Sequence, residues 1–214
     1  MKINLKILGA ASILADNKCE GLQEKILVSN MMLRRRLTRS ARIAIYLASK
    51  VGYSNEKIVF GTAYGEAEST ANIVEAIYHK EAISPTAFQN SVHNTPVSYL
   101  SILSGNQNEL TTVSDLNDTS LSVLKIAAIK ALKGDKMLLL NIDAFSFPRV
   151  EELNRCSVAK LEAGVALLVE KTNELPNIVI ENKVYKDVSP SLWQMLEVYE
   201  KSTKQKKTIV EVEI

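Results

Sequence analysis

The stretch Ser84-Pro-Thr-Ala-Phe-Gln-Asn-Ser-Val-His-Asn-Thr-Pro96, carried on through Leu110-Thr-Thr-Val113, Leu116-Asn-Asp-Thr119 and Lys133-Gly-Asp-Lys-Met-Leu-Leu-Leu-Asn-Ile-Asp143, decides the fold. Pro85 breaks the chain. Residues 96–103 read as a helix with proline in its first turn, where a missing N–H costs little. Residues 110–113 form a short strand. Residues 119–133 are apolar nearly all round (Leu121, Val123, Leu124, Ile126, Ala127, Ala128, Ile129, Ala131, Leu132), and a helix with so narrow a polar stripe is expected to be buried. Asp118 or Thr119 can cap its start and Gly134 its end. Residues 137–142 are the largely apolar strand of a sheet covered on both faces.

Upstream, Ile3, Leu5 and Ile7 alternate with Asn4 and Lys6, so residues 3–9 read as a first strand and 10–30 as irregular. Residues 34–51 read as one helix, with Leu37, Ala41, Ala44, Ile45 and Ala48 on one face and Gly52 where a C-terminal cap belongs. Residues 57–63 are a strand. Residues 66–80 are a helix whose acidic start (Glu66, Glu68) and final Lys80 suit the helix dipole. Downstream, residues 163–170 and 177–181 read as strands, 189–199 as a helix, and 204–214 as a basic run followed by an alternating, strand-like tail. Strands alternating with helices, without repeat or low-complexity linker, predict one layered α/β domain.

A chain of 214 residues is one large domain or two small ones. Its 46% apolar and 23% charged residues are ordinary for a globular protein, and a net charge of +2 gives no reason to expect a nucleic-acid partner. The sequence shows neither a membrane-length apolar run nor a signal-peptide pattern near its start, so no membrane span is expected. Cys19 and Cys156, far apart in sequence, fit a reducing, cytoplasmic compartment better than a disulfide between them.

His79 and His93, the two histidines, have no partners at ligand spacing, so neither metal nor cofactor is expected. There is no Gly-x-Ser-x-Gly elbow, and Ser91, His93 and Asp143 are a trio that any chain could offer. Gly61-Thr-Ala-Tyr-Gly65 lacks the further glycine and the lysine of phosphate-binding loops and reads as a tight strand-to-helix turn. The basic cluster Arg34, Arg35, Arg36, Arg39 and Arg42 is either a solvated face or a docking site for an acidic protein or a phosphate-bearing group. Ser91, His93 and Asn94 precede a helix and can serve simply to satisfy turn backbone groups.

Taken together, these pieces resemble the N-terminal half of the β-ketoacyl synthase family, in the thiolase-like fold. Arg36-Leu-Thr-Arg39 with its alanine-rich helix, Ile58-Val-Phe-Gly-Thr-Ala-Tyr-Gly65, the Ser84–Pro85, Phe88 and Asn94 segment, Lys133 to Asp143, and Glu162-Ala-Gly-Val-Ala-Leu-Leu-Val-Glu170 are similar to successive family elements. The wording Ser91-Val-His-Asn94 is similar to short synthase-like, chain-length-factor-like proteins of aryl-polyene and flexirubin-type pigment pathways. The resemblance implies an α/β, thiolase-like N-terminal half: layered α-β-α with a mixed sheet over residues 1–175. Residues 176–214 would be a C-terminal extension with a helix and an edge strand, packed on the same domain.

The departures carry the functional expectation. The family's cysteine nucleophile stands at the start of the buried helix, where the helix terminus lowers a thiol's pKa. Aligning that helix puts Asn117 there, with Asp118 as the off-by-one alternative. A carboxamide is a very poor nucleophile. The resemblance therefore implies a subunit inert on its own that pairs with a full-length ketosynthase, or with itself, in fatty-acid or polyketide-type elongation. Acyl carrier protein would dock at Arg34, Arg35, Arg36, Arg39 and Arg42, and Phe88, Ser91, His93 and Asn94 would be tunnel or turn residues. The buried helix and the 137–142 strand would lie near the dimer contact. The alternatives are a stand-alone acyl-thioester enzyme, decarboxylase or acyltransferase, in which Asn117 steadies a thioester oxygen, or a non-enzymatic binding module.

Overall fold

The structure, a computed structural model, describes residues 1–145 and 159–214. Cys156 lies outside the described residues, and with it any pairing with Cys19.

A mixed six-stranded sheet organises the chain, in the order β3-β2-β4-β5-β1-β6. Its strands are β1 (Lys2–Ala15), β2 (Lys57–Gly61), β3 (Leu110–Val113), β4 (Met137–Ala144), β5 (Glu162–Thr172) and β6 (Thr208–Glu213). β2 runs parallel to β3 and β4, while β5, β1 and β6 follow antiparallel. The helices are α1 (Glu24–Leu27), α2 (Met31–Arg36), α3 (Arg39–Lys50), α4 (Ala67–His79), α5 (Pro85–Asn90), α6 (Thr95–Ser104), α7 (Thr119–Ala131) and α8 (Trp193–Ser202).

Side chains alternate across the sheet into two cores. Ile58, Phe60, Leu138, Leu140 and Ile142 meet α3 and α6 on one face, while Val59, Leu139, Val165 and Leu167 meet α7 and α8 on the other. The result is the layered α-β-α arrangement expected.

Several elements depart from the sequence reading. β1 continues to Ala15, because residues 10–15 keep the ladder with β5 as far as the pair Ala15↔Glu162 even though small residues weaken their alternation. α1 and α2 lie where the chain reads as irregular or as the start of a longer helix. The helix expected over 34–51 is two: Leu37 turns extended to bury itself, and Thr38 restarts the helix by accepting the Ala41 N–H at 3.1 Å. Pro85 begins a helix rather than ending order, since Ser84 caps it and proline suits the first position. The strand expected at 177–181 reduces to one bridge, Ile178 to Val210.

α7 buries one face only. Val123, Leu124, Ala127 and Ala128 reach the sheet, whereas Ile129 on the far side is 47% exposed. β4 is buried along its whole length between β2 and β5, and the open edges of the sheet belong to other strands. Gly61 has no room for a Cβ, which would stand 2.6 Å from Val123 Cγ2 and 2.8 Å from Thr119 Cγ2, and this close approach sets the start of α7 against β2.

Candidate functional site

β2, β3 and β4 are parallel, and in an open α/β sheet the crevice beyond the carboxyl ends of such strands is where ligands bind. The turns after β2 and β3 and the end of β4 meet there. After β3, residues 114–118 make an exposed turn into α7. Leu116 holds φ +44°, a left-handed conformation costly for a branched side chain, and such strain concentrates at functional turns. Thr119 ties the turn together: its hydroxyl donates to Leu116 O at 2.7 Å and accepts from Asp115 N at 3.0 Å. Asn117 and Asp118 both sit on this turn, open to solvent. Asp118 is the N-cap of α7 by position but makes no side-chain capping bond.

Beneath the turn lies a buried polar cluster. Asp143, at the end of β4, accepts from Thr62 Oγ1 at 3.0 Å and Ala63 N at 2.9 Å on one oxygen, and from the Ser191 hydroxyl on the other. Ser191 also contacts Ser189 Oγ at 2.8 Å, and its carbonyl accepts from Asn141 Nδ2 at 2.6 Å. Ser120, on the first turn of α7, donates to Gln194 Oε1 at 2.5 Å and accepts the Gln194 N–H at 3.2 Å. The turn over Pro190–Leu192 thus packs against Leu116–Asp118 and fills the crevice with this chain's own backbone. Complete burial raises the Asp143 pKa, with the hydrogen bonds from Ser191 and Thr62 working the other way.

Beside the cluster, the imidazole of His93 lies over Gly65, whose missing Cβ would stand 3.1 Å from the ring. Tyr64 meets Phe145 edge to face at 4.5 Å between centroids. Phe88 projects from α5 and is 69% exposed. The Ser91 hydroxyl donates to Phe88 O at 2.8 Å, and the Asn94 carbonyl accepts from Ser98 N at 2.9 Å, so both close local turns. Ser91 and His93 make no hydrogen bond with Asp143 among the described residues; that trio is not assembled.

The arginines divide. Arg39 forks onto Glu162 at 2.7 and 2.6 Å, Arg42 pairs with Glu24, and Arg34 donates to Val28 O at 2.7 Å. Three of the expected docking residues are therefore half-buried and hold partners within the chain, as the helix break at Leu37 sets them beside acidic and carbonyl groups. Arg35 and Arg36 stay exposed at the end of α2.

The sequence reading missed the role of Glu66. It is buried, 4% exposed, and accepts from Thr38 Oγ1 at 2.8 Å. Burial pushes its pKa from 4.5 up to about 7, against the pull of the Thr38 and Ser40 hydrogen bonds. A carboxyl that holds its proton more tightly when folded stabilises the fold fully below pH 4.5. That contribution falls as pH rises and is gone above about 7. The loss expected over this window is about 3 kcal/mol. Urea unfolding at pH 5 and pH 8 checks it: the Glu66→Gln variant should lack this part of the pH dependence.

This mixed sheet, with a turn leading into a helix set against its centre, is the arrangement expected of a thiolase-like ketosynthase fold. The family model "Beta-ketoacyl synthase, N-terminal domain" matches residues 15–210, and the chain belongs to that family. Among solved structures it is similar to a ketosynthase (ApeO) in complex with its chain length factor (ApeC) from Xenorhabdus doucetiae, at 22% identity and TM-score 0.64, over 79% of this chain and 80% of that one. It is similar also to the ishigamide ketosynthase/chain length factor, at 13% identity and TM-score 0.64, over 80% of this chain and 63% of that one. A third is the type II PKS complex AntDE:AntF, an acyl-carrier protein with its ketosynthase bound to the hexaketide, at 15% identity and TM-score 0.63, over 79% of this chain and 62% of that one. At these identities the likeness is one of fold. No curated protein matches. No helix among the described residues is long and apolar enough to cross a membrane.

Proposed function

We propose that this chain is a catalytically inert, chain-length-factor-like subunit that pairs with a full-length ketosynthase during acyl chain elongation on acyl carrier protein. The observation that carries the reading is the turn before α7. Leu116 holds a left-handed conformation at the turn where the cysteine would stand, Asn117 and Asp118 offer no thiolate there, and the Pro190–Leu192 turn packs against it. Residues 1–175 would form the synthase-type unit and 176–214 its extension.

The partner's place is suggested by two features. β3 is an edge strand, paired only with β2 among the described residues, and so offers unpaired backbone groups to another strand. α4 buries none of its residues, and Ile77 and Tyr78 on it, with Phe88 on α5, are widely exposed. An apolar surface of this kind is normally covered. Phe88 and His93 would then face the partner's acyl tunnel, with Ser91 and Asn94 shaping the turn between them. Arg35 and Arg36 are the charges left to meet an acidic carrier protein.

Co-expression with the ketosynthase from the same source, followed by size exclusion with light scattering, tests this. A one-to-one complex is expected, with Tyr78→Glu and Phe88→Glu together weakening it by roughly a hundredfold or more, since apolar interface anchors typically carry about 2 kcal/mol or more each. A chain that elutes alone in the presence of the ketosynthase, or an isolated chain that turns over malonyl-carrier protein, would overturn the reading.

A further inference from the structure

The other side of the sheet carries an interaction surface of its own. β6 pairs with β1 from Lys2 to Ile7 and stops there, at Thr208, while β1 runs on beside β5 to Ala15. Among the described residues no strand lies on the outer edge of residues 8–15. Alternate N–H and C=O groups of this segment point away from β5, where an added strand would take them up. Exposed strand edges are usually guarded by lysine, proline or an inward-pointing charge. This one reads Leu8-Gly-Ala-Ala-Ser-Ile-Leu-Ala15, with no charge and no proline. Its one irregularity is the bulge between Ile7 and Gly9, which makes Leu8 the first residue of the free window.

We propose that residues 8–14 of β1 pair antiparallel with the same residues of a second copy of this chain, about a two-fold axis at Ala11. β6 blocks the edge up to Ile7, and the ladder with β5 ends at Ala15. Directly opposite residues must share a face, so the axis passes through Ala11 or Ser12 at the middle of the free edge. Ala11 is the centre that brings Leu14 of the second copy beside the cleft next to Leu8. In that register Leu8 faces Leu14 of the second copy, Gly9 faces Ile13, and Ala10 faces Ser12. The central pairs are small on both sides, Ile13 meets Gly9, and two leucines meet at each end. The end pair has somewhere to go. A cleft of about 260 Å³ opens beside Leu8, Gly9 and Ala10, closed on its far side by Thr203, Gln205 and Lys206 at the end of α8. Ala10 lies on the α8 face of the sheet. Directly opposite residues in an antiparallel pair share a face, so Leu14 of the second copy points toward that cleft. Leu14 is itself one of the exposed large apolar side chains of β1. The arrangement is isologous, each copy giving one leucine and one cleft, which is the self-complementarity a two-fold interface needs.

This pairing is independent of a ketosynthase partner at β3, since β3 and the β1–β6 side are opposite edges of the sheet. Sedimentation equilibrium on the purified full chain across the micromolar range tests it, together with hydrogen exchange at low and high protein concentration. The expected result is a monomer–dimer equilibrium, with concentration-dependent protection confined to residues 8–14. Leu14→Lys and, separately, Ser12→Lys should each raise the dissociation constant by roughly tenfold or more, by placing a charge on the pairing edge. Both variants should keep the melting temperature of the monomer and any complex formed with the ketosynthase. A chain that stays monomeric throughout, or a dimer untouched by both lysines but dissolved by Thr112→Lys on β3, would overturn the proposal. The exchange experiment needs no variant, so a misfolded lysine variant would not leave it undecided.

Discussion

Replacing Arg39 by methionine lowers folding stability by about 3–5 kcal/mol, the cost of breaking a buried ion pair by removing one partner. Glu162 is wholly buried where β5 begins, and Arg39 meets both of its oxygens from the first turn of α3. The same guanidinium donates to Cys19 O at 2.9 Å, while the Cys19 N–H donates to Glu162 at 2.7 Å. One fork therefore joins α3, β5 and the chain that leaves β1. Methionine supplies similar bulk without charge or donors, and the buried carboxylate loses both bonds of the fork. Arg39→Lys should recover only part of the loss, because an ammonium cannot match two carboxylate oxygens in one plane. Urea denaturation at neutral pH reads both variants. Equal stability of the methionine variant and the parent would show that the pair only offsets its own desolvation.

Replacing Asp143 by alanine should cost about 3–5 kcal/mol, and the loss should be local before it is global. Its carboxyl takes bonds from Thr62, Ala63 and Ser191 in a site without solvent, and each donor left unsatisfied there costs about 1–3 kcal/mol. Ser191 is the link to the C-terminal segment. The alanine variant should therefore release the Ser189–Leu192 turn, seen as faster hydrogen exchange at residues 189–194 and faster proteolysis nearby. Asp143→Asn should be much milder, because burial already favours an uncharged side chain at this point and an amide can keep part of the network. If the alanine variant leaves exchange at 189–194 unchanged, the latch is not what holds that turn in the crevice.

Much of the fold was legible from pattern. The 110–113 strand, the 119–133 helix and the 137–142 strand announce themselves because a central parallel strand must be apolar on both faces and a crossover helix must bury a stripe. The absence of a cysteine before α7 is likewise a plain fact of residues 116–119. The helix break at Leu37 was harder to read, since Arg34 to Arg42 contains no glycine or proline to mark it. Its cause is tertiary: Leu37 is drawn into the core and Thr38 caps the start of α3. That same break takes Arg34, Arg39 and Arg42 out of the basic patch that their spacing suggests. The bulge and the open edge of β1 were hidden for a related reason, because residues 10–15 are too small to show a strand's alternation and become one only by pairing with β5.

By itself, then, the sequence determined the family, most of the order of strands and helices, and the absence of a cysteine from residues 116–119, because each of these is written in local pattern or in a single residue type. Only the tertiary structure decided which polar groups are paired out of sight. It is the packing of α3, β4 and the 189–194 segment that turns Asp143, Glu66 and Arg39 from ordinary charges into buried ones, and that fills the crevice with Ser191. Contacts between residues far apart in the chain, such as Asp143 with Thr62 and Ser191, leave no periodicity or motif in the sequence, and so they could be seen only once the chain was folded.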